Sequence, residues 1–141
     1  MTIEVRYQSR GGNTKAVAEI VAETAKTKAK SISEPLPEYT DILFVGGGVY
    51  SMRADKELLS FLSQLTSQRV GMIVAFSTTG IVDVTTSRIK EIARKSNIKV
   101  CEKSFCLKLL MQGYSIGTMK GGHLSVQQKD KVRKFACTIL K

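Results

Sequence analysis

The strongest constraint on the fold is an alternation of two periodicities along the chain. Asp41-Ile42-Leu43-Phe44-Val45 and Val70-Gly71-Met72-Ile73-Val74-Ala75-Phe76 are nearly unbroken apolar runs, as strands buried on both faces of a parallel sheet must be. Each gives way to helical spacing: Leu58, Phe61, Leu62 and Leu65 share one face over residues 54–65, and Ile89, Ile92 and Ala93 share one over 84–95. The same alternation opens the chain, with a strand over 2–8 and a helix over 13–28 carrying Val17, Ile20, Val21 and Ala25 on one face. It closes with a strand over 98–107 and a helix over 125–140 that buries Val132, Phe135, Ala136 and Ile139. A weak strand near 29–33 precedes Glu34-Pro35-Leu36-Pro37-Glu38, which breaks any helix. Five strands joined mostly by helices imply an α/β fold, a parallel sheet with right-handed crossovers.

At 141 residues the chain suits one domain, residues 1–141. No apolar run is long enough to span a bilayer, and no basic-then-apolar signal segment opens the chain, so a cytoplasmic protein without a membrane partner is expected. Cys101, Cys106 and Cys137 lack C-x-x-C spacing and read as free thiols in a reducing compartment. The net charge of +10 is uneven: residues 1–66 hold eight Lys/Arg and eight Asp/Glu, whereas residues 67–141 hold fourteen Lys/Arg and four Asp/Glu. Aromatics are sparse, and Lys90, Arg94, Lys95, Lys129, Lys131, Arg133 and Lys134 alternate with apolar positions of helices. That pattern reads as solvated helix faces able to steer acidic partners, not as a nucleic-acid surface.

In open α/β sheets ligands bind beyond the carboxyl ends of the strands. Three such ends carry polar or glycine-rich segments. After strand one stand Ser9-Arg10-Gly11-Gly12-Asn13-Thr14, opening a helix. Glycines let a backbone fold tightly around an anion, first-turn N–H groups and the helix dipole favour its charge, and Ser9, Asn13 and Thr14 add donors. The order fits neither a Walker A loop nor a dinucleotide fingerprint. After strand three come Gly46-Gly47-Gly48-Val49-Tyr50-Ser51-Met52, and after strand four Ser77-Thr78-Thr79-Gly80.

Ser9 to Thr14 match [ST]-x-[TG]-G-x-T, and with the other two segments the chain resembles the flavodoxin family over nearly its whole length. The resemblance implies a three-layer fold with a five-stranded parallel sheet of order 2-1-3-4-5 and helices on both faces. It implies flavin mononucleotide (FMN) as cofactor. Ser9, Arg10, Gly11, Gly12, Asn13 and Thr14 would wrap its phosphate, with Arg10 either pairing with that phosphate or pointing to solvent. Gly48, Val49, Tyr50, Ser51 and Met52 would lie along the isoalloxazine, with Tyr50 stacked on it and Met52 a second apolar contact. Ser77, Thr78, Thr79 and Gly80 would hydrogen-bond its edge. Ser104-Phe105-Cys106 and Lys120-Gly121-Gly122-His123 also resemble small bacterial flavodoxin-domain proteins, although Leu107-Lys108-Leu109 and Leu124 depart from their usual glycine and proline. In the order 2-1-3-4-5 the Pro-broken segment leaves one face of strand one without a helix, so Glu4, Arg6 and Gln8 are expected to face water or a partner subunit.

The chain shows no nucleophile–base pair, no paired carboxylates in a loop and no cluster of metal ligands, so no catalytic or metal residue is assigned. The leading expectation is a flavodoxin-like electron carrier, a monomer or weak dimer. Its redox partner proteins would be acidic and dock on the basic C-terminal half. One rival is a small FMN-dependent NAD(P)H or quinone-type reductase, for which Leu109 to Gly122 would shape a second pocket. Another is a flavodoxin-fold module that no longer binds flavin. A response-regulator receiver wants an Asp at the end of strand three, where Gly46 to Gly48 stand.

Overall fold

The computed structural model describes residues 1–50, 53–79, 83–108 and 124–140, with Tyr50 described by its backbone alone. Its elements are β1 (Ile3–Gln8), α1 (Asn13–Thr24), β2 (Ala29–Ser31), β3 (Thr40–Tyr50), β4 (Arg53–Ala54), α2 (Lys56–Ser63), β5 (Val70–Thr79), α3 (Thr85–Lys95), β6 (Lys99–Val100), β7 (Phe105–Lys108) and α4 (Val126–Leu140). The strands run β2-β1-β3-β5-β6 in parallel, with β7 also on β5 and β4 antiparallel on β3. Taking β6 and β7 as one interrupted edge strand, this is the order 2-1-3-4-5.

The continuous apolar runs are explained by two separate cores. Ile42, Phe44, Val74 and Phe76 face α1 and α4, meeting Val17, Val21, Val132 and Ala136. Leu43, Val45, Ile73 and Ala75 face α2 and α3, meeting Leu58, Leu62, Ile89 and Ala93. Successive strand residues point to opposite faces, so a strand between two helical layers must be apolar at every position.

Three sequence expectations change. First, β3 and β5 do not stop at Val45 and Phe76 but continue to Tyr50 and Thr79. Gly46 and Gly47 sit in the ladder opposite Tyr7 and Gln8 of β1, and Gly46 to Gly48 opposite Phe76 to Thr78 of β5. Second, the last strand is two short pieces: five residue steps from Val100 to Phe105 span three steps from Ile73 to Phe76 on β5. Exposed Glu102 and Lys103 fall in the interruption.

Third, Arg6 does not face water. Its side chain is fully buried. Nη1 donates to Glu4 Oε1 at 2.8 Å and the Val5 carbonyl at 3.2 Å, Nε to the Glu34 carbonyl at 3.2 Å, and Nη2 to the Pro35 carbonyl at 2.8 Å. The Pro-broken segment forms no helix, yet it closes over this face. Its carbonyls lack helical donors, and a guanidinium with five N–H groups supplies them. Gln8 is half-buried and donates to Glu57 Oε2 at 3.0 Å.

Candidate functional site

The carboxyl ends of β1, β3 and β5 lie side by side, so their three following segments converge on one edge of the sheet. In the first, Gly12 adopts φ 96° and caps α1. Only glycine takes this left-handed conformation without a Cβ penalty. Gly12 N–H donates to Ser9 Oγ at 3.0 Å, and Ala16 N–H makes the first helical bond to the Gly12 carbonyl at 3.0 Å. Gly12 brings no side chain to cap α1, and no acidic residue stands in its first turn. Gly11 borders open space, where an added Cβ would meet nothing within 4 Å. An uncapped helix start beside an open glycine fits the donor set a phosphate requires.

The other helices start differently. Asp55 caps α2, accepting from Glu57 N–H at 2.8 Å, with Glu57 itself in the first turn. Asp83 accepts from Thr86 N–H at 3.1 Å and from the Thr86 hydroxyl at the start of α3. Ser125 and Gln128 form a reciprocal box at α4, with Ser125 N–H on Gln128 Oε1 at 2.8 Å and Gln128 N–H on Ser125 Oγ at 3.1 Å.

Side chains tie the three ends together. The Thr14 and Thr78 hydroxyls are hydrogen-bonded at 2.7 Å, joining the first segment to the third, and both residues are buried. Arg10 Nε donates to Asp55 Oδ2 at 3.0 Å, joining the first segment to α2. The Arg10 side chain is 58% exposed, whereas Asp55 is 2% exposed. Arg10 therefore neither simply points to solvent nor keeps its whole fork for an anion. Thr85 Oγ1 donates to the Gly48 carbonyl at 2.8 Å, and Ser77 Oγ donates to Asp83 Oδ1 at 2.9 Å.

The structure corrects the picture of the second and third segments as loops. Gly48, Val49 and Tyr50 belong to β3, and Val49 and Tyr50 pair with Ala54 and Arg53 of β4. Ser77, Thr78 and Thr79 are buried at the end of β5, paired with Cys106, Leu107 and Lys108 of β7. Gly46 and Gly47 are small for the sake of packing: a Cβ on Gly46 would run into the Phe76 ring, and one on Gly47 would lie 2.7 Å from a Leu58 methyl. Ser51, Met52, Gly80 and the Leu109–His123 stretch lie outside the described residues, as does the Tyr50 side chain.

Sequence reasoning missed Asp55 and Asp83, the carboxylates that organise the second and third segments. Asp83-Val84-Thr85-Thr86 carried a readable helix-start signal, an Asp ahead of a polar first turn. Cys106 went unassigned as well. Its half-buried thiol is pushed above its ordinary pKa, first by burial and further by the Asp83 charge, against the Ser77 hydrogen bond and the Lys108 charge. It is therefore a neutral thiol at physiological pH.

With this geometry in view, comparison with known proteins assigns the family. The flavodoxin domain model matches residues 4–120. The chain belongs to the flavodoxin domain family. Among solved structures it is similar to a flavodoxin from the domain Archaea (TM-score 0.66, 17% identity, covering 99% of this chain and 96% of that one). It is similar also to two-electron reduced Megasphaera elsdenii flavodoxin (TM-score 0.61, 11% identity, 97% and 99% covered). Rubredoxin oxygen:oxidoreductase from Desulfovibrio gigas matches as well (TM-score 0.72, 14% identity), where 98% of this chain covers 35% of the larger protein. No curated protein matches. No described helix is long and apolar enough to cross a membrane.

Proposed function

We propose that this chain holds FMN at the carboxyl edge of its sheet and serves as an electron carrier. The observation that carries the reading is the start of α1: it begins on a left-handed glycine with no acidic residue in its first turn, beside a second glycine that borders open space. The residues Ser9 to Thr14 would surround the phosphate, with first-turn N–H groups and the helix dipole facing it. Ser9 fixes the turn through Gly12 N–H. Thr14, bonded to Thr78, holds the loop against the end of β5. The tips of β3 and β5 would border the ring. Bound there, the flavin would supply the electron-transfer chemistry.

The exposed cations of the C-terminal half suit an acidic redox partner protein. Arg94, Lys99, Lys103, Lys131 and Lys134 are exposed on α3, the β6–β7 edge and α4. Reduction by such a partner would slow as salt rises.

Fluorescence titration with FMN and with riboflavin tests the site. FMN is expected to bind about a hundredfold more tightly, the value of several charge-assisted hydrogen bonds. Equal affinity for the two flavins, or binding of neither, would overturn the phosphate assignment. A carrier should also leave NADPH unoxidised until a separate reductase is added. Steady turnover by the FMN-loaded protein alone would make it a reductase instead.

A further inference from the structure

Beside the β3–β4 hairpin lies a cavity that the flavin reading does not use. β4 and the first turns of α2 and α3 line a half-open cleft of about 370 Å³, within the size range of small-molecule sites. Its wall is apolar, formed by Ala54, Leu59 and Val84, and its rim is cationic, formed by Arg53, Lys56 and Arg88.

The nearby carboxylates are already committed. Asp55 is 2% exposed and accepts from Arg10 and from Glu57 N–H. Glu57 accepts from Gln8. Glu91 pairs with both Arg88 and Lys95, which hold its carboxyl below the ordinary range. Among the described residues no carboxylate pairs with Arg53 or Lys56. Two exposed cations that no carboxylate bonds among the described residues, and a third shared with Glu91, thus surround an apolar wall. Like charges so placed repel one another until an anion joins them, and the wall favours an apolar body on that anion.

We propose that this cavity binds a small organic anion. Its apolar or aromatic body lies on Ala54, Leu59 and Val84, and its carboxylate, sulfonate or phosphate is held by Arg53, Lys56 and Arg88. Guanidinium groups suit such oxyanions because their forked donors match two oxygens at once. Rim charge alone would serve an acidic protein surface equally well. The concave apolar wall of Ala54, Leu59 and Val84, sized for one small molecule, favours the small molecule. None of these six residues is among those assigned to FMN, although Arg53 and Ala54 pair with Tyr50 and Val49 at the tip of β3.

The test is a methyl- and amide-detected NMR titration of the full chain with naphthoate, set against the neutral naphthylmethanol. Naphthoate should shift Ala54, Leu59 and Val84 and bind about tenfold more tightly than the alcohol, the value of one charge-assisted contact. The double variant Arg53→Gln/Lys56→Gln should lose about that factor, whereas Lys30→Gln on β2, exposed and far along the sheet, should lose nothing. Equal binding of acid and alcohol, shifts confined to other residues, or indifference to the double variant would each overturn the proposal. A glutamate-rich peptide that binds more tightly than naphthoate, with the same dependence on Arg53 and Lys56, would make this a protein-docking surface instead. Displacement of naphthoate by FMN would merge the cavity with the flavin site and remove it as a separate one.

Discussion

The junctions after β1 and after β3 look alike in sequence and are opposites in structure. Both are glycine-rich and both lead from a parallel strand toward a helix at the same edge of the sheet. After β1, Gly11 borders open space, Gly12 takes a left-handed turn, and α1 starts with no side-chain cap and no acidic residue. At the end of β3 itself, Gly46 and Gly47 lie under the Phe76 ring and a Leu58 methyl, and α2 starts on Asp55 with Glu57 behind it. Glycine beneath a side chain serves packing, and a capped helix start has its donors satisfied from within. Glycine beside open space, next to an uncapped start, leaves donors for something from outside. Glycine content does not separate the two cases; the neighbours of each glycine do.

The sharpest way to break this contrast is to add one methyl group to each junction. Gly46→Ala would bring a Cβ into the Phe76 ring and to 2.5 Å from the Phe76 carbonyl oxygen. Neither the buried ring nor the ladder backbone can yield cheaply, so a loss of about 3 kcal/mol is expected. Gly11→Ala meets nothing and should change the stability of the ligand-free protein by about 0.5 kcal/mol or less. Urea denaturation of both variants measures the difference, and equal losses would mean that the first loop is as tightly packed as the second.

A second test gives α1 the acidic first turn that α2 already has. Lys15 is exposed in the first turn of α1, where Glu57 stands in α2. Lys15→Glu complements the helix dipole and should leave the ligand-free protein as stable or slightly more so, by about 0.5 kcal/mol. The same charge opposes a bound phosphate, and FMN affinity should fall about tenfold at low salt, less as salt rises. Unchanged FMN affinity would count against phosphate binding at this helix start.

Much of this arrangement is written in the sequence, and the exceptions have physical causes. The apolar runs of β3 and β5 reveal a sheet covered on both faces because a strand between two helical layers has no solvent-facing side. The start of α1 was legible because its glycines and hydroxyls are adjacent in the chain. Gly46 to Gly48 read as a loop because glycine is poor in strands. Ladder bonds to both β1 and β5, which join residues far apart in sequence, override that preference. Burial of Arg6 was equally hidden, since it depends on the carbonyls of Glu34 and Pro35 folding back over β1.

The reverse experiment opens the closed junction. Asp55→Ala removes the α2 cap and the partner of Arg10, and should cost about 1 to 2 kcal/mol, chiefly through the lost cap. Asp55→Asn keeps an oxygen for Glu57 N–H but weakens the pair with Arg10. Because the Arg10 side chain is 58% exposed, that change should cost well under 1 kcal/mol. If Asp55→Asn proves as damaging as Asp55→Ala, the ion pair and not the cap closes this junction.

The third junction, after β5, extends the contrast with the smallest effect. Here Ser77, Asp83 and Thr86 form a closed polar network, and Cys106 lies beside it on β7. Burial, and secondarily the Asp83 charge, raise the Cys106 pKa in the folded chain. Unfolding returns the thiol to its ordinary value of about 8.5. Above that pH the unfolded chain gives up this proton before the folded chain does, so the thiol favours unfolding as pH climbs through and beyond the ordinary range. Below that range it contributes no pH dependence. Urea midpoints of the wild type should therefore fall more steeply on the alkaline side than those of Cys106→Ala, with parallel behaviour near neutrality. Alkylation by iodoacetamide at neutral pH gives a second measure: exposed Cys137 should react well before half-buried Cys106. A Cys106 labelled as fast as Cys137, with no difference in alkaline slope, would place the third junction with the first, open toward solvent, and not with the second.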